Sequence, residues 1–158
     1  NNKKLKIDEN SILIIRGCGP VGYPGSAEVI NMQPPDRLLK KGINTLPTLG
    51  DGRQSGTSAS PSILHVSPES AVGGDLGIVK TGDKIKIDLN KRRVDLLISQ
   101  SEFKNRRKKR KKFKINNQTP WQEIFRDTVG QLEDGACIKS RGIYLKVSTS
   151  KGIPRDSH

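Results

Sequence analysis

Asp51-Gly52-Arg53-Gln54-Ser55-Gly56-Thr57 lies between two apolar runs, Ile43 to Leu49 and Ile63 to Val66. Glycine and short polar residues between apolar runs mark a loop that joins buried elements. Gly52 and Gly56 allow a sharp turn or a close approach of the backbone to a ligand. Ser55 and Thr57 flank Gly56, and both offer hydroxyls there. On residue types alone, an ordinary turn accounts for such a stretch.

Upstream, Ser11 to Arg16 reads as a short strand, and the Gly- and Pro-rich Gly17 to Gly25 as a loop. Ser26 to Val29 reads as the opening turn of a helix whose free N–H groups suit an anion. Pro34 to Lys41 reads as a second short helix, with Pro near its start and Gly42 past its end. Ile43 to Leu49 is expected as a strand, and Ser62 to Val66 as another. Ser67 and Pro68 have the form of an N-cap and first helical residue for a turn to Val72, ended by Gly73-Gly74. Leu76 to Val79 reads as a strand. Ile85, Ile87 and Leu89 alternate on one run and Val94, Leu96 and Ile98 on the next, which predicts a hairpin turning near Asn90-Lys91. Ser99 with Glu102 three residues on is a capping box before a basic helix. Thr119, Pro120 and Gln122 repeat that pattern for a helix to about Val129. Ile143 to Val147 reads as a last strand. Many short strands and short helices predict a small sheet, closed or nearly so, flanked by helices, an α+β domain.

At 158 residues the chain has one domain's length, and its 32% hydrophobic and 4% aromatic content predicts a lean aliphatic core. No apolar run approaches the roughly 18 residues of a membrane span, and Asn1 to Asn10 has no signal-peptide character. The two cysteines, Cys18 and Cys137, make no metal or disulfide pattern, so a reducing cytoplasm is expected. The +13 formal charge raises nucleic acid as a partner, but nine basic residues fall within the eleven from Lys104 to Lys114. Only Phe103 and Phe113 accompany that block, too few for a stacking surface, so it reads as a solvated basic helix.

Four motifs recur in order along the chain. They are Arg16-Gly-Cys-Gly-Pro-Val-Gly-Tyr-Pro-Gly-Ser-Ala-Glu28, Pro34-Pro-Asp-Arg-Leu-Leu-Lys-Lys-Gly42, the Ser55 loop, and His65-Val-Ser-Pro-Glu-Ser-Ala-Val-Gly-Gly74. Together they resemble the C-terminal domain of the dihydroxy-acid and sugar-acid dehydratases, the family of the aldonate and 6-phosphogluconate dehydratases, from about Ser11 to His158. Asn31-Met-Gln-Pro-Pro35, Thr119-Pro-Trp-Gln-Glu123 and Pro154-Arg-Asp-Ser-His158 resemble the sugar-acid branch more than the branched-chain amino-acid branch. The resemblance implies a β-barrel-like swivelling β/β/α domain, similar to the last domain of aconitase. It implies domain bounds of 1–10 for a polar leader or cut linker, 11–135 for the barrel domain and 136–158 for a tail. A larger N-terminal domain is expected elsewhere, and the missing initiator Met reads the same way.

Within this resemblance Ser55 is the catalytic candidate. A serine hydroxyl becomes a base only when its proton is removed or a cation stabilises the alkoxide. The family's Ser-Gly-Thr serine is taken to remove the C2 proton of a 2,3-dihydroxy acid. Thr57 is the candidate for binding or positioning substrate, against a loop-capping role. Glu28, otherwise a solvated first-turn acid, matches the family's Pro-Gly-x-x-Glu magnesium ligand, and Mg²⁺ suits one or two carboxylates with water and substrate oxygens. Ser26 stands where the family often has methionine. Arg53 reads as a local partner of Asp51 rather than a substrate-carboxylate ligand, His65 as a packed strand residue, and Asp83 and Asp88 as solvated. The family's iron–sulfur cluster needs three or four thiolates, so it is expected on the N-terminal domain.

The expected function is thus the C-terminal domain of a hydro-lyase that converts an aldonic acid to a 2-keto-3-deoxy acid, homo-oligomeric when complete and inactive as this chain alone. Dihydroxy-acid dehydratase is the alternative within the family. A basic nucleic-acid-binding module is the alternative of another class, and its sign is steep salt dependence.

Overall fold

The computed structural model describes residues 5–28, 33–55 and 59–139. Thr57, Val29, Asn31, Met32, the Ile143 to Val147 run and Pro154 to His158 lie outside them.

Strands β1 (Leu13–Ile15), β2 (Thr48–Gly50) and β3 (Ser62–Ile63) form a parallel sheet in the order β1-β2-β3. The expected Ile43 to Leu49 strand begins late, at Thr48, because Pro47 has no N–H for a ladder. All three β2 residues are buried, and Leu49 lies opposite Ile14 on one side and Ile63 on the other. Helix α1 (Asp36–Leu39) follows Pro35, and Gly42 beyond its end takes a φ of 80°. Among the described residues Leu38, Leu46, Leu49, Leu76, Ile78 and Val129 make the buried apolar core.

The hairpin forms as the alternation predicts. Strands β4 (Ile85–Asp88) and β5 (Arg93–Leu96) are antiparallel, with Ile85 opposite Leu96 and Ile87 opposite Val94. Both predicted N-caps form, but not the reciprocal half of a capping box: the Glu102 carboxylate goes to Arg106 and Gln122 Oε1 accepts the Gln118 N–H. Ser99 Oγ accepts the Glu102 N–H at 3.2 Å ahead of α2 (Gln100–Lys108). Thr119 Oγ1 accepts the Gln122 N–H at 3.2 Å ahead of α3 (Pro120–Thr128). Each such cap contributes about 1 kcal/mol.

The strand expected over Ser62 to Val66 ends at Ile63, and three further segments differ in kind from expectation. Leu76 to Val79 is not a strand: Asp75–Ile78 is a 3₁₀ turn that buries Leu76 and Ile78. The turn expected from Pro68 starts at Ser70 and runs to Val72. Ser67 does not cap it, because the N–H groups it would serve are taken: Glu69 N–H donates to Gln131 Oε1 and Ser70 N–H to Asp51 Oδ2. Ser26 to Glu28 is irregular rather than helical. The Ser26 carbonyl, which a helix would use internally, instead receives the Arg53 guanidinium at 2.8 Å. The domain is a mixed α and β fold. Its strands are two to four residues long and lie in two separate small sheets, so among the described residues no barrel closes.

The basic block is only partly a solvated helix. Helix α2 stops at Lys108, and three of the arginines fasten it down. Arg106 grips Asp83 with two bonds of 2.6 and 3.0 Å and also reaches Glu102 at 2.7 Å. Arg107 holds Asp75 at 2.6 and 2.7 Å, and Arg110 donates to the Gly73 carbonyl. The lysines at 104, 108, 109, 111, 112 and 114 are exposed. Asp83 is therefore not solvated: its side chain is 9% exposed, under Arg106.

The hydrogen bond from Arg106 is the main cause that holds the Asp83 carboxyl below its usual range. A carboxyl depressed in the folded state contributes stability above its unfolded pKa, about 3.9, and loses it as pH falls through the folded value. Thermal melts of wild type and Asp83→Asn should therefore differ most near pH 7 and converge below about pH 4. A gap that stays constant down to pH 3 would contradict this.

Candidate active site

The loop that carries Ser55 leaves β2 at Asp51, whose carboxylate is 1% exposed. A buried carboxylate is tolerable only when hydrogen-bonded on most sides. Asp51 Oδ2 accepts from Gly17 N–H at 3.0 Å, Ser70 N–H at 2.9 Å and Ser70 Oγ at 2.6 Å, and Oδ1 accepts from Cys18 N–H at 3.0 Å. The expected Asp51–Arg53 pair is thus replaced. Asp51 is taken by the Gly-rich loop and the 3₁₀ turn, and Arg53 points elsewhere.

Glu69 does for the second half of the Gly-rich loop what Asp51 does for the first. It is 0% exposed and accepts from Val21 N–H and Gly22 N–H, each at 2.8 Å, and from Gln131 Nε2 at 2.9 Å. The loop's carbonyls go the other way, to the buried face of α3. Arg126 donates to Val21 O at 2.8 Å and Gly22 O at 3.2 Å, and Gln122 Nε2 donates to Pro24 O at 3.2 Å. Gln122 and Arg126 are four apart, so one helix face presents both. The loop needs its glycines for these contacts. A Cβ on Gly19 would collide with the Glu69 carboxylate, and Gly17 has a φ of 80° with the Phe113 ring 2.7 Å from where its Cβ would stand.

Ser55 is buried, 8% exposed, four residues along from Asp51. Glu28 is exposed. The Arg53–Ser26 hydrogen bond ties their two segments together, each contact residue lying two positions from its candidate. His65 is not packed on a strand. It lies past β3, exposed, with a φ of 60°, and its N–H donates to Gly52 O at 3.1 Å. A cleft of about 500 Å³ is lined among others by Cys18, Tyr23, Ser26, Arg53, His65 and Trp121; Ser55 and Glu28 stand two residues from its lining rather than on it. Trp121 stacks on Phe125 with ring centroids 5.0 Å apart.

The part of Asp51, Glu69, Gln122 and Arg126 in holding the Gly-rich loop is not read from the sequence, which offers Asp51 as a partner of Arg53 and Gln122 as a capping residue. The available signal was polar residues standing where α3 and the end of β2 are buried. Among the described residues no group of three or more His, Cys, Asp or Glu side chains is placed to hold a metal. An exposed Glu28 fits one carboxylate of a shared Mg²⁺ site. An iron–sulfur cluster does not fit this chain: its two cysteines are one half-buried and one exposed, and they are too few.

A clamped Gly-rich loop and a buried serine four residues past the acid that clamps it make up the framework of the candidate site. The family model described as dihydroxy-acid/6-phosphogluconate dehydratase C-terminal matches residues 1–136, and the chain belongs to that family. D-xylonate dehydratase of Caulobacter vibrioides is 52% identical over 158 residues, all of this chain and 26% of that protein. L-arabinonate dehydratase of Rhizobium leguminosarum is 39% identical over 161 residues, again across the whole chain and 27% of that protein. Dihydroxy-acid dehydratase of Thermodesulfovibrio yellowstonii is 40% identical over 135 residues, 85% of this chain and 24% of that protein. The chain spans about a quarter of the length of the curated relatives it matches.

Removing the Asp51 carboxylate leaves Gly17, Cys18 and Ser70 donors without an acceptor, each a loss of about 1–3 kcal/mol when buried. Asp51→Ala should destabilise the domain by at least about 3 kcal/mol in urea unfolding, and Ser70→Ala by less, since it removes one donor and strands none. Equal and small losses for the two would show that the clamp does not hold the loop.

Proposed function

We propose that this domain supplies the proton-abstracting serine to a sugar-acid dehydratase, which converts an aldonic acid to a 2-keto-3-deoxy acid by loss of water. The observation that carries this reading is the buried Ser55 on a loop anchored by Asp51 and tied through Arg53 to the segment of Glu28. The sugar-acid substrate class is supported by the whole-chain likeness to D-xylonate and L-arabinonate dehydratases. The dihydroxy-acid reading rests on likenesses that cover 85% of the chain.

As an alkoxide, Ser55 Oγ takes the proton from C2. The C2–H electron pair becomes the C2–C3 double bond, the C3 oxygen leaves as hydroxide, and protonation turns it to water. The enol then takes a proton at C3, gives up the proton of its 2-hydroxyl and becomes the keto acid. Mg²⁺, when bound, supplies positive charge beside the substrate carboxylate and 2-hydroxyl, and Glu28 is the residue of this chain that would help hold it. Thr57 positions the substrate or steadies Ser55. No residue of this chain is assigned to the departing hydroxyl, which falls to the larger N-terminal part with its iron–sulfur cluster. That part, a homo-oligomeric complete enzyme, a cytoplasmic setting and the swivelling, aconitase-like arrangement all belong to the same proposal.

General base catalysis is worth roughly 10² to 10⁴ in rate. Ser55→Ala in the complete enzyme should lose at least about 10² in kcat with Mg²⁺ and iron content unchanged. Glu28→Gln should weaken Mg²⁺ binding as well as turnover. Rates for a panel of aldonates against a branched 2,3-dihydroxy acid separate the two substrate classes, and faster turnover of the latter would overturn the sugar-acid reading. The isolated 158-residue chain should form no keto acid, and steady production by the purified domain would refute the division of labour.

A further inference from the structure

We infer that Arg53, two residues from Ser55, binds the carboxylate of the substrate in the cleft that Arg53 lines. This deepens the dehydratase reading and rests on it. The sequence offers Arg53 a neutralising neighbour in Asp51, but the structure removes it. Asp51 is buried and saturated by four hydrogen bonds from Gly17, Cys18 and Ser70. Among the described residues Arg53 takes part in no ion pair, and its one hydrogen bond is from Nη2 to the Ser26 carbonyl at 2.8 Å. A guanidinium has five N–H donors in a fixed fork. A bond to one backbone carbonyl orients the fork and leaves donors over, without cancelling the charge.

The position suits an anion. Arg53 is exposed on the wall of the roughly 500 Å³ cleft, with His65 on the same lining. The stacked Trp121 and Phe125 rings line it too, and apolar walls strengthen a charge pair by lowering the local dielectric. Arg53 is two residues from Ser55. In a 2-hydroxy acid the proton to be removed sits on the carbon next to the carboxylate. A cation in the loop of the base therefore holds the carboxylate where C2 comes to the serine. Planar guanidinium matches carboxylate by two parallel N–H bonds, which a lysine cannot reproduce.

The test is binding without turnover. In the complete enzyme carrying Ser55→Ala, calorimetry measures the Kd of D-xylonate, L-arabinonate and the neutral D-xylonamide. Adding Arg53→Gln should weaken both aldonates by about 10- to 100-fold, the range for a hydrogen bond to a charged group. The same change should leave the amide nearly unaffected, and Arg53→Lys should lie between. An aldonate Kd within about twofold of the parent overturns the inference. So does an equal weakening of amide and acid, which would mark Arg53 as a strut for the Ser26 segment. Should Arg53→Gln fail to fold by circular dichroism, Arg53→Lys carries the same acid-against-amide comparison. Failure of the parent to bind either aldonate, or wild-type turnover by Ser55→Ala, sinks the dehydratase reading itself. Dead Ser55→Ala with aldonate binding indifferent to Arg53 sinks this inference alone.

Discussion

A single buried carboxylate, Asp51, sits where three segments of the chain meet. It ends strand β2, begins the loop of Ser55, and accepts hydrogen bonds from the Gly-rich loop and the Ser70 turn. An ionised carboxylate without such partners would be too costly to bury. The burial and the four donors are therefore mutually dependent, and the loop geometry follows from that dependence. Glu69 repeats the device one segment on. The backbone N–H groups of the Gly-rich loop go to two acids, and its carbonyls go to Gln122 and Arg126 of α3. That loop is held mainly by charged and polar side chains, with the Phe113 ring packed against Gly17. This suits a fold in which six leucine, isoleucine and valine side chains are buried among the described residues.

The same constraint shapes the chemistry. With Asp51 committed inward, Arg53 keeps its charge for the cleft and links across to Ser26. The segments of Ser55 and Glu28, far apart in sequence, meet through that link. The basic block lies behind this assembly. Its arginines grip Asp83, Asp75 and Gly73, and Phe113 lies against Gly17. Part of the +13 charge is thus structural, and the exposed lysines are what remains for solvent.

The features legible in the sequence are those settled within a few residues. The Ser99 and Thr119 N-caps and the β4–β5 alternation form as local patterns dictate, and α1 forms between Pro35 and Gly42, shorter than the expected Pro34 to Lys41. Misreadings arose where a distant partner overrode the local preference. Ser67 lost its capping role to Gln131 and Asp51, Ser26 lost its helix to Arg53, and Asp83 was drawn under Arg106 from 23 residues away. Leu76 to Val79 was too short for periodicity to separate a strand from a 3₁₀ turn. Family membership was legible because four motifs stand in order. Ser55, Glu28 and Thr57 came from that order, and Thr57 lies outside the described residues. Periodicity carried no information about the frame of Asp51, Glu69 and Arg126, whose partners lie up to 105 residues away.

The most direct test follows the C2 hydrogen itself. The complete enzyme is given an aldonate labelled with deuterium at C2, and release of label to water is measured alongside keto-acid formation. With Ser55 as the base, wild type releases label with each turnover, and Ser55→Ala releases it at least about 100-fold more slowly while still binding substrate. Release of label by Ser55→Ala at the wild-type rate would place the base elsewhere and contradict the assignment.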